Sequence, residues 1–364
     1  MRSVLAVIAL LLLLPMVGTV RAAEEKVVRV YNWSDYIDDT ILKDFEKETG
    51  IKIVYDVFDS NDILETKLLA GSTGYDVVVP TGYFLARQIQ AGVFLALDKS
   101  KLPNLGNMWD EIMQRVGKYD PGNKYAINYM WGTTGIGYNV DKVKERMADA
   151  PLDSWRMIFD PKVLAKFADC GVYVLDAGDE LIPLALHYLG DNADSKDEKV
   201  MAKAEPILMA IRPYIQKFHS SEYINALANG DICIAVGWSG DVLQARNRAM
   251  EAKNGVNIKF SIPKEGTQMF FDNFAIPKDA PHPDNAHAFI NYMMRPEVIA
   301  KSSNFVKYAN GNKASQPLLD KQVFEDPAVY PPPEVMAKLY SITPYPPKAQ
   351  RALTKLWTKI KSAK

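Results

Sequence analysis

The sequence predicts an α/β fold built from two units, and three observations carry that prediction. From Val27 to Val79 the residue pattern alternates strand, helix, strand, helix, strand. That order favours a parallel sheet with right-handed crossovers. The alternation resumes at Val172 and runs to Ala252, which gives a second α/β unit centred on residues 130–250. At 364 residues, 48% apolar and 24% charged, the chain has the composition of a globular protein and the length of two domains.

The first strand is the β-branched and apolar run from Val27 to Asn32. A helix over 38–49 places Ile41, Leu42 and Phe45 on one face, and Gly50 stands where a left-handed terminator belongs. Residues 51–57 read as a second strand, and 61–70 as a second helix capped by Asp59 or Ser60. Val77 to Val79, closed by Pro80, is a short buried strand. In the second unit, 172–175 and 232–236 read as strands. Helices are expected over 181–189, 201–217, 221–228 and 242–252. Residues 257–262 and 269–276 read as strands that return to the first sheet. A helix over 286–294, a proline-rich loop over 341–347 and an amphipathic helix over 348–361 complete the chain.

The N-terminus reads as an export signal. Arg2 precedes the apolar run Val4 to Met16, and small residues follow near Ala22. Residues 1–22 are therefore expected to be a signal peptide, and the apolar run is short for a membrane span. Export implies an oxidising compartment, in which Cys170 and Cys233 are expected to pair. The 43 basic side chains against 44 acidic ones leave no positive field for a nucleic acid.

Enzyme and metal motifs are missing. Gly237-Trp238-Ser239-Gly240 resembles a nucleophile elbow, but Asp241 stands where its last glycine belongs. Ser261-Ile262-Pro263-Lys264 spells Ser-x-x-Lys with a proline that obstructs the helix such a pair needs. His187, His219, His282 and His287 have no metal-ligand spacing, and no phosphate-binding glycine loop occurs. No catalytic residue, metal or cofactor is expected.

Four segments instead set carboxylates, three of them beside aromatic rings, at or near predicted strands: Trp33-Ser34-Asp35-Tyr36, Asp176 to Glu180, Trp238-Ser239-Gly240-Asp241 and Phe270-Phe271-Asp272. Each alone reads first as a core ring beside a helix cap. Recurrence of one chemistry points to a ligand. A buried ammonium needs carboxylate acceptors and gains from an aromatic face. Methylenes between two ammonium groups suit flat apolar walls. The segments hold no Arg or Lys, as an amino-acid ligand's carboxylate would require.

At these residues the chain resembles the periplasmic putrescine- and spermidine-binding proteins of bacterial ABC transporters. The likeness rests on Val30-Tyr31-Asn32-Trp33-Ser34-Asp35-Tyr36, on Tyr75-Asp76-Val77-Val78-Val79-Pro80 and on Leu227-Ala228-Asn229-Gly230-Asp231-Ile232-Cys233. Gly237 to Asp241 and Phe270 to Asp272 complete it, and the fit is closest to the putrescine type. The resemblance implies a two-lobed periplasmic binding protein fold of type II. Each lobe would be a mainly parallel sheet flanked by helices, with the ligand in the cleft between lobes. Lobe 1 would hold residues 26–128 and 250–303, and lobe 2 residues 129–249 and 304–364.

The family's aromatic walls fall on Trp33, Tyr36, Trp238, Phe270 and Tyr308, and its acids on Asp35, Glu180, Asp241 and Asp272. Asp35 and Asp272 are expected at one amine, and Asp241 at the other. Ser34 and Thr81 would add hydroxyls. Tyr83 matches the spermidine-preferring type, whereas Phe270 and Ala177 match the putrescine type. The resemblance also implies the Cys170–Cys233 disulfide. The expected protein is a periplasmic monomer that captures putrescine, spermidine, cadaverine or agmatine and delivers it to an ABC transporter permease. The alternatives are a 4-aminobutyrate-like amino acid as ligand, or a secreted hydrolase.

Overall fold

The computed structural model describes residues 24–363, so the expected signal peptide lies outside the described residues. Among the described residues ten strands run in chain order: β1 (Val27–Trp33), β2 (Lys52–Phe58), β3 (Val77–Val78), β4 (Ala126–Asn139), β5 (Val172–Val174), β6 (Lys217–Phe218), β7 (Ile234–Trp238), β8 (Ile258–Ser261), β9 (Met269–Ala275) and β10 (Ala309–Asn310). Their hydrogen-bonded order is β2-β1-β3-β9-β4-β7-β5-β6, with β8 and β10 also pairing to β4. The parallel pairings of β1 with β2 and β3 realise the first βαβαβ unit, and those of β5 with β6 and β7 realise the second.

Local chemistry explains the boundaries. The Asp38 side chain accepts the Thr40 N–H at 2.8 Å, which starts the Asp39–Thr49 helix, and Gly50 ends it at φ 68°. Ser60 caps the Asn61–Ala70 helix. Two apolar cores form. Val30, Phe45, Val77, Phe274 and Phe289 belong to one around β1 to β3. Trp155, Phe159, Leu184, Ile234 and Val236 belong to the other around β5 and β7. The Cys170–Cys233 disulfide joins the segments that enter β5 and β7, with Cα atoms 5.5 Å apart.

Strand β4 links the halves. Its residues up to Thr133 pair with β9, and those from Thr134 pair with β7 and β8. All fourteen residues are buried. This strand has no counterpart in the sequence reading, because burial on both faces removes the polar–apolar alternation by which strands are recognised.

Two expectations change. The helix over 201–217 is instead two short helices, Glu198–Met201 and Ala204–Ile211, followed by a 3-10 turn and β6. Pro213 has no N–H to continue the helix, and Lys217–Phe218 gain backbone partners beside β5. Of the two strands expected in the first sheet, only β9 pairs there, with β3. β8 pairs with β4 in the same half as β7. The lobe boundaries are therefore a proposal, with the switch drawn at residue 250 better placed between β8 and β9.

This topology sets the site. β9 runs antiparallel to β3, so its amino end lies beside the carboxyl ends of β1 and β3. Phe270 and Asp272, at the start of a strand, thereby share an edge with Trp33, at the end of one. The bridge between Thr81 and Asp272 marks the meeting point.

Candidate functional site

A cavity lies where β1, β7 and β9 converge. Ten of the twelve predicted site residues line it: Trp33, Ser34, Tyr36, Thr81, Glu180, Trp238, Asp241, Phe270, Asp272 and Tyr308. Asp59, Asn61, Ser220, Ser221 and Ile224 line it as well. Tyr83 lines an adjoining cavity with Asp62 and Asp179, and Trp33, Glu180 and Trp238 border both spaces.

Asp35 lines neither. Its backbone is left-handed at φ 55°, and its exposed carboxylate pairs with Arg248 at 2.6 Å. Gln244 donates to its carbonyl at 3.2 Å. Asp35 thus ties the end of β1 to the Ser239–Ala252 helix outside the cavity, rather than joining Asp272 at an amine. Residues adjacent in sequence around a left-handed turn point to different sides, which the run Trp33 to Tyr36 does not reveal.

The walls are rings held by their polar ends. Trp33 donates its indole N–H to the Val79 carbonyl at 2.9 Å. It meets Trp238, from the other half, edge to face at 5.7 Å. Trp238 donates to Glu180 Oε1 at 2.9 Å. Phe270 packs against Trp238 and Tyr308 at 6.3 and 6.2 Å. Tyr36 and Tyr308 meet at 5.0 Å in a T-shaped pair.

Each of those two tyrosines holds one carboxylate. Tyr36 donates to Asp272 Oδ2 at 2.7 Å, and Thr81 donates to Oδ1 at 2.6 Å. Asn61 in turn donates to the Thr81 hydroxyl. Tyr308 donates to Asp241 Oδ1, and Tyr223 to Oδ2, both at 2.7 Å. Gly240 makes room for this: a β-carbon there would stand 2.2 Å from the Tyr308 ring. Glu180 accepts from Thr134 and Trp238.

Glu180, Asp241 and Asp272 are between 4 and 6% exposed. Burial pushes Glu180 and Asp241 up to about 7, and Asp272 up to about 6, against the hydrogen bonds that hold them down. In the adjoining cavity, burial and then the nearby Asp62 push Asp179 up to about 6. Tyr83 donates to it at 2.6 Å. The lining contains no lysine, arginine or histidine among the described residues. Nor is any group of His, Cys, Asp and Glu among them arranged to hold a metal ion. The carboxylates have lost water and gained no protein cation, so the chemistry the site can perform is capture of a positive group.

Sequence reasoning missed Tyr223, Thr134 and the Asp59–Asn61 corner. Ser34 donates to Asp59, and no feature of the string 59–61 distinguishes that role from a helix cap. Tyr223 lies on a six-residue helix, Tyr223–Ala228, whose pattern reads only as core.

Known proteins match this chain along most of its length. Residues 40–331 match the model of the family described as bacterial extracellular solute-binding protein. The putrescine-binding periplasmic protein of Escherichia coli K12 is 56% identical over 96% of this chain and 94% of its own. The putrescine-binding periplasmic protein of Pseudomonas aeruginosa is 54% identical over 95% of each. Among solved structures, a Listeria monocytogenes protein assigned to spermidine/putrescine ABC transport superposes with a TM-score of 0.84 at 32% identity. It covers 93% of this chain and 100% of that one.

Proposed function

The chain belongs to the bacterial extracellular solute-binding proteins, and from that premise we propose that it captures putrescine in the periplasm and delivers it to an ABC transporter. It is a binding protein and not an enzyme. The observation that carries the reading is the buried trio Glu180, Asp241 and Asp272, walled by aromatic rings and faced by no basic side chain of the lining.

One ammonium sits at Asp272, which Tyr36 and Thr81 hold, with Glu180 lining the same cavity. The other sits at Asp241. Tyr36 and Tyr308, whose rings meet edge to face, each hold one of these two carboxylates. Trp33, Trp238 and Phe270 cover the methylenes between. Trp33 and Trp238 come from different halves, so the site is complete only when the halves are together. A hinge that brings them together takes the dication out of water. The closed form is what the permease receives.

A 4-aminobutyrate carboxylate would face these acids without a basic partner, so the structure offers that ligand no support. Titration calorimetry against putrescine, spermidine and 4-aminobutyrate tests the proposal. Putrescine should bind and 4-aminobutyrate should not. Absence of binding to any amine would overturn the reading.

A further inference from the structure

We propose that Tyr223, a residue outside the cavity, is a positioning residue for amine capture: it orients the Asp241 carboxylate and holds it ready for a cation. The inference rests on the reading of Asp241 as an ammonium acceptor and goes beyond it by naming what sets its strength.

The geometry is a fixed relay. The Trp238 backbone N–H donates to the Tyr223 hydroxyl at 3.0 Å. With its oxygen already accepting, that hydroxyl directs its own proton to Asp241 Oδ2, at 2.7 Å. Tyr308 repeats the arrangement on the other oxygen. It accepts from the Asp241 N–H at 3.3 Å and donates to Oδ1 at 2.7 Å. Both protons are therefore aimed by backbone groups of the segment that carries Asp241. Donors aimed in advance cost no reorganisation when charge arrives.

The glycines of Gly237-Trp238-Ser239-Gly240-Asp241 acquire a reason. A β-carbon on Gly237 would lie 2.5 Å from the Tyr223 ring. The motif is thus the imprint of the two phenols that grip its last residue. Tyr223 is fully buried, and its helix also supplies Ile224 to the cavity wall.

The charged groups that face Asp241 are few. Arg248, on its own helix, favours its ionised form, and Asp35, from the end of β1, opposes it. These two pair with each other. Glu180 acts on the Tyr223 phenol, which burial and the neighbouring Asp241 keep protonated. Loss of the Tyr223 donor leaves Asp241 with the Tyr308 hydrogen bond and the Arg248 charge against its desolvation, so the carboxyl holds its proton to higher pH.

The test is Tyr223→Phe, with putrescine affinity measured by calorimetry at several pH values and ligand-free melting recorded alongside. Affinity relative to wild type should fall roughly tenfold near pH 6.5, and the deficit should shrink to roughly twofold near pH 8.5, where Asp241 ionises in either protein. A deficit that is equal at all pH values, or no deficit, overturns the inference. If wild type itself binds no diamine, the amine reading fails, and this inference with it. Should Tyr223→Phe fail to fold, 3-fluorotyrosine at position 223 replaces it. Its stronger donor should move the pH profile to lower pH, and an unmoved profile overturns the inference equally.

Discussion

Asp241→Asn separates a binding carboxylate from a structural one, because its two effects have opposite sign. In the ligand-bound protein, the substitution leaves an ammonium without its charged partner. Truncating one side of a buried charge pair costs about 2–5 kcal/mol, roughly 30- to 5000-fold in dissociation constant. In the ligand-free protein the carboxylate is a burden. Burial lifts its pKa from 3.8 to about 7, and three units correspond to at most about 4 kcal/mol against the ionised form. An amide removes that charge but leaves one of the two phenol donors without an acceptor, at about 1–3 kcal/mol. Ligand-free stability at pH 8 should therefore match or exceed that of wild type while putrescine affinity collapses. Calorimetry and thermal melting of the same preparations read both. A dissociation constant within twofold of wild type would remove Asp241 from the site. A melting temperature that falls along with affinity would make Asp241 a structural residue and refute the reasoning.

Putrescine affinity should fall as pH drops below about 7, because Glu180, Asp241 and Asp272 must ionise to meet a dication. Binding near pH 6.5 should release protons, read as a buffer-dependent binding enthalpy; a constant affinity from pH 5.5 to 8.5 would contradict this. The sign for ligand-free stability is the reverse: these raised carboxyls favour the folded state at low pH, and that contribution is lost as pH rises through 6 to 7. Gly240→Ala should displace the Tyr308 ring, since its β-carbon would stand 2.2 Å away. It should lower stability by about 1–3 kcal/mol and weaken putrescine binding along with it, checked by melting and calorimetry. Replacing Cys170 and Cys233 together by serine should lower stability by about 2–4 kcal/mol, because the bond closes a long loop. The check is denaturant unfolding.

The elements that were legible in sequence are those whose chemistry is local. Asp38 and Gly50 bound the first helix through a side-chain cap and a positive φ, both properties of a few consecutive residues. The same holds for Ser60 before the second helix. β4 was hidden for the opposite reason. With neighbours on both faces it needs no polar alternation, and it carries Gly132, Gly135 and Gly137, which local propensity counts against a strand. β6 was absorbed into a helix because two residues beside β5 gain their partners only through the fold. Trp33, Trp238, Asp241, Phe270 and Asp272, which line the cavity, were legible because rings and carboxylates recur together in several short segments, whereas Thr81 and Tyr308 came from the family resemblance.

Sequence alone determined the α/β class and the ring-and-acid chemistry of the segments that meet at the cavity, because residue type fixes charge, size and hydrogen-bonding capacity wherever the chain goes. Tertiary structure decided which acids face inward. Asp35 and Tyr36 are neighbours in the chain, yet one pairs with Arg248 at the surface and the other grips Asp272 in the cavity. It also decided that Tyr223 and Tyr308, 85 positions apart in sequence, close on one carboxylate. Such convergence follows from how strands from two halves meet at β4. No stretch of sequence contains it, because hydrogen bonds depend on distance in space and not on separation along the chain.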